Sequence, residues 1–325
     1  MQTTNRENIL RTRACPECYL CGSQGKLLYQ DLSDRLFGVP GNWCFSQCSN
    51  AECGLVWLNP KPLEADIGMA YQNYYTHHDN AKLEPLLFRI IAAVLGRMSG
   101  YHRHARRVHF MTLDHQAPGK LLEIGCGSGH FLAKMKACGW VVEGVDFDPR
   151  AVDYARTTYD IKVHHGTVEN AGYPDSAFDA VVMNHVIEHV FDPIALLQET
   201  RRLLKPGGKV VVVTPNMASM GHQRFGQVWR GLEPPRHLHL FSRRTLLECA
   251  KRAGFERYQV WTTAANVRPI WAGSIDIEET GKHVVGAGLG WLRRLRLLKA
   301  QYQEYWALPK QPDAGEEVVL VGESL

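Results

Sequence analysis

The apolar and polar positions of this chain are most informative in its second half. Leu121-Leu122-Glu123-Ile124 is a short apolar run that breaks into Gly125-Cys126-Gly127-Ser128-Gly129 and resumes at His130-Phe131. That is the form of a strand, a glycine-rich turn and a helix. A second strand reads Trp140-Val141-Val142-Glu143-Gly144-Val145-Asp146, and a third ends in His164-His165-Gly166-Thr167-Val168-Glu169. Phe178-Asp179-Ala180-Val181-Val182-Met183-Asn184 has the continuous apolar character of a strand buried on both faces, with a polar exit through His185 to Val190. Lys205-Pro206-Gly207-Gly208-Lys209 turns into a fifth strand, Val210 to Asn216. Strands separated by helical stretches predict an α/β domain with a mostly parallel sheet.

Elsewhere the pattern is helical or irregular. Residues 63–115 read as helical, with aromatics at Tyr71, Tyr74 and Tyr75 and a basic, histidine-rich run over Tyr101–His109. Ser242 to Leu247 starts another helix, and Trp291–Trp306 has apolar residues at 291, 295, 298, 302 and 305 with arginines on its other side. Before these, Gly54 to Leu58 is a short strand ended by Pro60 and Pro62.

The glycine turn poses a choice of cofactor. A phosphate-binding loop would end in Gly-Lys-Ser/Thr, which is absent here. A dinucleotide turn is Gly-x-Gly-x-x-Gly, whereas Gly125, Gly127 and Gly129 are one residue tighter. The acidic Glu123 at the strand end suits the cationic amino group of an amino-acid cofactor better than a pyrophosphate. Asp146 follows Gly125 by 21 residues, near the distance at which a second strand brings a carboxylate to ribose hydroxyls.

Composition adds an N-terminal module. Six of the nine cysteines, Cys15, Cys18, Cys21, Cys44, Cys48 and Cys53, lie within the first 53 of 325 residues. A cytoplasmic location is expected, since the start of the chain has no apolar core of signal-peptide length and Leu86–Leu95 is too short and too interrupted to span a bilayer. Cysteines in that setting point to metal binding or plain packing rather than disulfides. Glycine follows Cys21 and Cys53, allowing the backbone to turn its amides toward the sulfurs, so Cys18, Cys21, Cys48 and Cys53 are the candidate zinc ligands. The competing set, Cys15 and Cys18 with Cys44 and Cys48, lacks those glycines. Four thiolates leave no open coordination position, so such a zinc is structural.

Four separated motifs then agree on one family. EIGCGSG, the acidic end of GVDFDP, PDSAFDAVVMNHVIEHVFDP and LKPGGKVVVVTPN occur in order over about 120–325. Together they resemble class I S-adenosylmethionine (SAM)-dependent methyltransferases, and residues 15–62 resemble the zinc-binding segment that precedes some such enzymes of sugar and natural-product pathways. The resemblance implies a Rossmann-like, seven-stranded sheet whose last strand is antiparallel, with the sixth and seventh strands at Phe255–Thr263 and Glu316–Gly322. It divides the chain into a zinc-ribbon-like module over 1–62, a helical linker or cap over 63–117 and a methyltransferase domain over 118–325, with a substrate-binding insert near 265–315. Carried over by motif, Glu123, Gly125 and Gly127 would flank the methionyl part of SAM, Asp146 would bind the ribose and Phe147 would lie on the adenine. Thr167 and Val168 would edge the adenine, while Asn184 and His185 would close the pocket behind the sulfonium.

The acceptor is less legible. Glu188-His189 leaves the fourth strand at its carboxyl end and resembles the Glu-His pair of quinone-type O-methyltransferases, making His189 a candidate base. His237 and His239, in Glu233-Pro234-Pro235-Arg236-His237-Leu238-His239, alternate and in extended chain would share one face as a second candidate group. O-methylation of a sugar, nucleotide sugar or secondary metabolite is expected, with C-methylation of a deoxysugar nucleotide as the rival. A macromolecular substrate read by the zinc module is a further alternative. Net charge is only +4, and residues 15–60 hold only Lys26 and Arg35 as cations, so no stable nucleic-acid partner is expected. The protein is expected to be a monomer or homodimer, and the arginine-rich helix at 291–306 leaves room for peripheral membrane contact.

Overall fold

The computed structural model describes residues 10–72, 84–283 and 289–325. Tyr74 and Tyr75 lie outside them.

The sheet comprises β6 (Lys120–Ile124), β7 (Val141–Asp146), β8 (Lys162–His165), β9 (Phe178–Asn184), β10 (Leu204–Pro215), β12 (Arg257–Thr263) and β13 (Glu317–Glu323). Its order is β12-β13-β10-β9-β6-β7-β8. The β6–β10 strands run parallel, and β13 pairs antiparallel with both β10 and β12. The order reverses between β6 and β9, which places a ligand crevice at their carboxyl ends.

Why these runs are strands is visible on β9, whose side chains alternate between two cores. Ala180 and Val182 join Leu121, Val142 and Val211 on one face. Val181 and Met183 join Leu122, Val210 and Val212 on the other. Helices α2 (Tyr101–His109), α3 (His130–Ala137) and α4 (Pro149–Tyr159) cover the first face, and α5 (Pro193–Leu203) and α7 (Arg243–Arg252) cover the second. Starts are set by side-chain caps: Asp148 accepts from Arg150 N ahead of α4, Asp192 from Ala195 N ahead of α5, and Ser242 forms a capping box with Thr245.

The N-terminal segment forms β1 (Thr12–Arg13), β2 (Gly25–Leu32), β3 (Trp43–Cys48), β4 (Val56–Leu58) and β5 (Lys61–Pro62). Its four-stranded antiparallel sheet is completed by β11 (His239–Leu240), from the connection after β10, which pairs with Val56 and Trp57. The N-terminal sheet thus crosses the boundary expected at residue 62. Phe45, Val56 and Leu58 pack with Phe225, Trp229, Leu238 and Ile270 in a third core.

Between module and sheet, the stretch read as helical holds a short 3₁₀ turn over Ile67–Tyr71, then α1 (Leu86–Met98) and α2. After β10 come α6 (Met220–Phe225) and, after β12, α8 (Val267–Thr280) and α9 (Trp291–Ala307). The buried face of α9 is rotated from the one its apolar spacing predicts: Arg294, Leu297, Leu298, Gln301, Tyr302 and Glu304 are buried, while Trp291 and Leu295 are 41% and 38% exposed. Polar partners turn the helix. Glu304 Oε1 accepts from Glu316 N at 2.7 Å, and Arg294 pairs with Glu84 at 3.3 Å.

Candidate functional site

The glycine turn follows β6 with Gly125, Gly127 and Gly129 all at positive φ. Gly125 is required twice over, since its φ is +70° and an added Cβ would meet Val186 Cγ2 at 2.4 Å. Asp146, the last residue of β7, holds the turn: its Oδ2 accepts from Gly127 N at 2.8 Å and its Oδ1 from Asp148 N at 2.9 Å. Glu123 lies beneath, 5% exposed, with Oε2 buried and unpaired. Burial, and then the charge of Asp146, push its carboxyl well above the usual carboxylate range. Two adjacent acids with an unsatisfied oxygen fit a ligand that brings an ammonium and hydroxyl donors, which SAM does.

Around this turn, Phe147 is 50% exposed, with its ring 4.8 Å from that of Tyr71, and Val168 is buried while Thr167 is exposed. Asn184 ends β9 exposed, and His185 follows at φ +55°. Asp148 serves as the α4 cap, and Cys126 is a packing residue whose thiol burial pushes up.

His185 joins two halves of the site. Its Nε2 lies 2.8 Å from Glu317 Oε1 and its Nδ1 3.2 Å from Glu188 Oε1. Burial opposes its protonation, but the two carboxylates raise it to about 10, so it is an imidazolium at neutral pH. Glu188 is fully buried and accepts from Thr214 Oγ1 at 2.9 Å; against burial, His185 brings it down to about 2. Glu188 is therefore the fixed counter-charge of His185. Glu317, on the last strand, was missed in the sequence because no local pattern links positions 132 residues apart.

His189 has the environment of a base. Its Nδ1 lies 3.1 Å from the Arg236 carbonyl oxygen and 3.0 Å from Tyr71 Oη. A carbonyl only accepts, so Nδ1 carries the proton and Nε2 keeps its lone pair. Burial lowers its pKa, which keeps the ring neutral. The His237 ring is 4.7 Å away, and its Nδ1 donates to Gly231 O at 2.8 Å. His237 and His239 do not share a face as extended chain would require: the His237 N–H bonds back to Glu233 O in a turn, and only His239 enters β11. His239 Nε2 accepts from Lys61 Nζ at 2.6 Å, which consumes its basic nitrogen. It is thereby a partner of Lys61, not a base.

Arg236, fully buried, anchors this turn. It makes two 2.8 Å bonds to Asp34 of the N-terminal segment and one of 3.0 Å to Glu233.

Cys18, Cys21, Cys48 and Cys53 bring their sulfurs within 4.8 Å of one another. Cys18 and Cys53 are 3.6 Å apart, and Cys21 and Cys48 3.3 Å. Gly22 and Gly54 have φ of +71° and +72°, and the N–H groups of Gly22 and Gly54 bond to Cys18 O and Asn50 O. With metal–sulfur bonds of about 2.3 Å, four thiolates so spaced fit a tetrahedral ion.

A cavity of about 860 Å³ opens between α1, α2, α8 and α9. Arg106, Lys134, Arg268 and Arg294 face it against the acids Glu84 and Asp276. Its histidines are His102, His109 and His283, while His189 and His237 lie outside its lining. Asn266 connects it to the rest of the site, since it lines the cavity and donates to Glu317 Oε1 at 2.8 Å, the oxygen that also holds His185.

The methyltransferase-domain family profile matches residues 97–260. A probable SAM-dependent methyltransferase of Mycolicibacterium smegmatis is 32% identical over 158 residues, 48% of this chain and 59% of that protein. A ubiquinone biosynthesis O-methyltransferase of Cereibacter sphaeroides is 39% identical over 102 residues, 30% of this chain and 41% of that protein. The chain thus spans between two and three fifths of these curated relatives. A SAM-dependent methyltransferase structure from Thermotoga maritima is 22% identical, covering 73% of this chain and all of that one with a TM-score of 0.46. The chain belongs to the methyltransferase-domain family. It carries a SAM-dependent methyltransferase domain on a Rossmann-like, mostly parallel sheet.

Proposed function

We propose that the protein methylates an oxygen of an anionic small molecule, of the class of a nucleotide sugar or a similarly charged metabolite. The observation that carries this reading is the cavity between α1, α2, α8 and α9. About 860 Å³ is in the range of small-molecule sites, and its four cations against two acids favour an anion. The acceptor's charged part would rest against Arg106, Lys134, Arg268 and Arg294. The polar link Asn266–Glu317–His185–Glu188 leads from there toward His189.

SAM, when bound, supplies a methyl group on a sulfonium and leaves as a neutral thioether. Glu123, Gly125, Gly127, Asp146, Phe147, Thr167, Val168, Asn184 and His185 would hold it. His189 Nε2 takes the hydroxyl proton as the oxygen–carbon bond forms, while Nδ1–H stays anchored to the Arg236 carbonyl. His237 and Glu188 position His189. A structural zinc held by Cys18, Cys21, Cys48 and Cys53 would fix the N-terminal module that presents Asp34 and leads into the turn carrying Tyr71.

The experiment is transfer of methyl label from SAM to a panel of nucleoside-diphosphate sugars, with RNA and protein offered in parallel, followed by mass and NMR analysis of the product. Label on a sugar oxygen supports the reading. The base would serve equally for a carbon acid, so label on a ring carbon would leave the site assignment standing and change the acceptor atom. Label only in RNA or protein would overturn it.

A further inference from the structure

Helix α1 carries its apolar residues outward. Leu86, Leu87, Ile90, Val94 and Met98 are 69%, 61%, 50%, 48% and 81% exposed. At about 3.6 residues per turn these five positions fall within an arc of roughly 120°, an apolar stripe that Arg97 enters in the last turn of the helix. The stripe does not face the protein: Phe88, on the opposite side of the helix, is the residue that packs on Leu298 and Tyr302 of α9. The first turn of α9 lies beside α1, with the Trp291 and Phe88 ring centroids 5.8 Å apart, and exposes Trp291, Leu292 and Leu295 at 41%, 73% and 38%. Solvated faces of soluble helices do not read this way.

The exposed charges of α1 and α9 have one sign. Neither α1 nor α2 contains an acidic residue, and the sole acid of α9, Glu304, is completely buried. Arg89 and Arg97 on α1 and Arg296 and Lys299 on α9 are exposed, and among the described residues no carboxylate pairs with any of them.

We propose that the α1/α9 face docks on an anionic lipid bilayer. Leucine, isoleucine, valine, methionine and tryptophan side chains would enter the boundary between headgroups and acyl chains, while the flanking arginines and lysine meet anionic headgroups. The observed charge separates this occupant from two others. A second copy would bring an equally basic face against this one, with no acids to receive it. A nucleic acid would leave the apolar stripe without a partner. Helices α1 and α9 also wall the cavity through Ala92, Ala93, Leu297 and Gln301. The inference rests on exposure and charge and stands whatever the acceptor is.

The test is co-sedimentation of the full chain with vesicles of phosphatidylcholine alone and of phosphatidylcholine mixed equally with phosphatidylglycerol. Binding only to the anionic vesicles, weakened by salt, is expected. Arg97→Ala/Lys299→Ala should weaken it by roughly five-fold per charge, and Leu87→Asp/Val94→Asp should abolish it with an unchanged melting temperature. Because the four substituted positions are exposed, these variants keep their cores. Absence of binding to either vesicle would overturn the proposal, and so would a concentration-dependent dimer that Leu87→Asp/Val94→Asp dissociates, which assigns the face to a second copy. Binding to both vesicle types alike would refute the electrostatic part.

Discussion

Replacing Arg236 by methionine tests the link between the N-terminal segment and the proposed catalytic turn. Its guanidinium is fully buried, donates twice to Asp34 and once to Glu233, and lies 4.5 Å above the Phe37 ring. Methionine keeps most of the volume, so the cavity cost is small and the electrostatic cost dominates. Asp34 and Glu233, whose side chains are 0% and 5% exposed, would be left as buried carboxylates without their counter-charge. Removing one partner of a buried pair costs about 3–5 kcal/mol. At roughly 2 °C per kcal/mol, the low end of the range for large chains, the melting temperature at pH 7 should fall by about 6–10 °C. The sign with pH follows. Glu233 opposes its own burial with the help of His237 and Arg236, which hold it down at about 2 in the native state. Its contribution is therefore present above the unfolded value near 4.3 and lost as pH falls toward about 2. Without Arg236 the folded carboxyls rise, so wild type and variant should converge as pH is lowered from 7 to 4. Differential scanning calorimetry across that range is the assay, and adding Asp34→Asn and Glu233→Gln to the variant should recover much of the loss. A variant that melts within about 2 °C of wild type at pH 7 would refute the reasoning.

Other perturbations separate the remaining roles. His189→Ala should leave SAM affinity intact by calorimetry and lower kcat by about 10²–10⁴-fold. Because burial lowers the His189 pKa, the wild-type acid limb of kcat should lie below pH 6.5; a limb at 7 or above would assign the base elsewhere. Asp146→Ala should abolish SAM binding, since the same carboxylate holds the Gly127 amide, and retained affinity would contradict that placement. One zinc per chain is expected by elemental analysis, and Cys53→Ser should lower both metal content and melting temperature. Arg268→Ala should raise KM for the acceptor with little change for SAM, whereas an equal effect on both would remove the cavity as the acceptor site.

The parallel strands were legible because each carries its own signal, as where Val181 and Met183 alternate with Ala180 and Val182 on β9. The two strands that the family resemblance implied at Phe255–Thr263 and Glu316–Gly322 begin and end within two residues of β12 and β13. The clustering of the cysteine quartet had a local cue as well, since Gly22 and Gly54 take the positive φ expected after Cys21 and Cys53, while their amides bond to Cys18 O and Asn50 O and not to sulfur. What escaped was non-local. The α9 face was misread because a buried Arg294, Gln301 and Glu304 look polar in sequence, whereas Arg294 is paired with Glu84, 210 positions earlier, and Glu304 accepts from the Glu316 amide beyond the end of the helix. His239 looked like a site residue until Lys61, 178 positions earlier, was seen to take its lone pair. β11 has only two residues and no periodicity to read; its identity as a strand comes entirely from Val56 and Trp57 across from it.

These non-local contacts converge on one place. Asp34 grips Arg236, whose carbonyl orients His189; Tyr71 touches His189 and Phe147; Lys61 pins His239; and β11 closes the N-terminal sheet. Cys18, Cys48 and Trp57 share a core with Leu197, Phe241 and Leu246 behind the sheet. The glycine turn and Asp146, by contrast, are held by β6, β7 and their own hydrogen bonds. The N-terminal segment thus bears mainly on the His189 half of the site and meets the proposed SAM half through Tyr71 on Phe147. A metal that orders the segment would therefore act on methyl transfer through the alignment of His189 and Tyr71, with SAM affinity left largely to the β6–β7 turn.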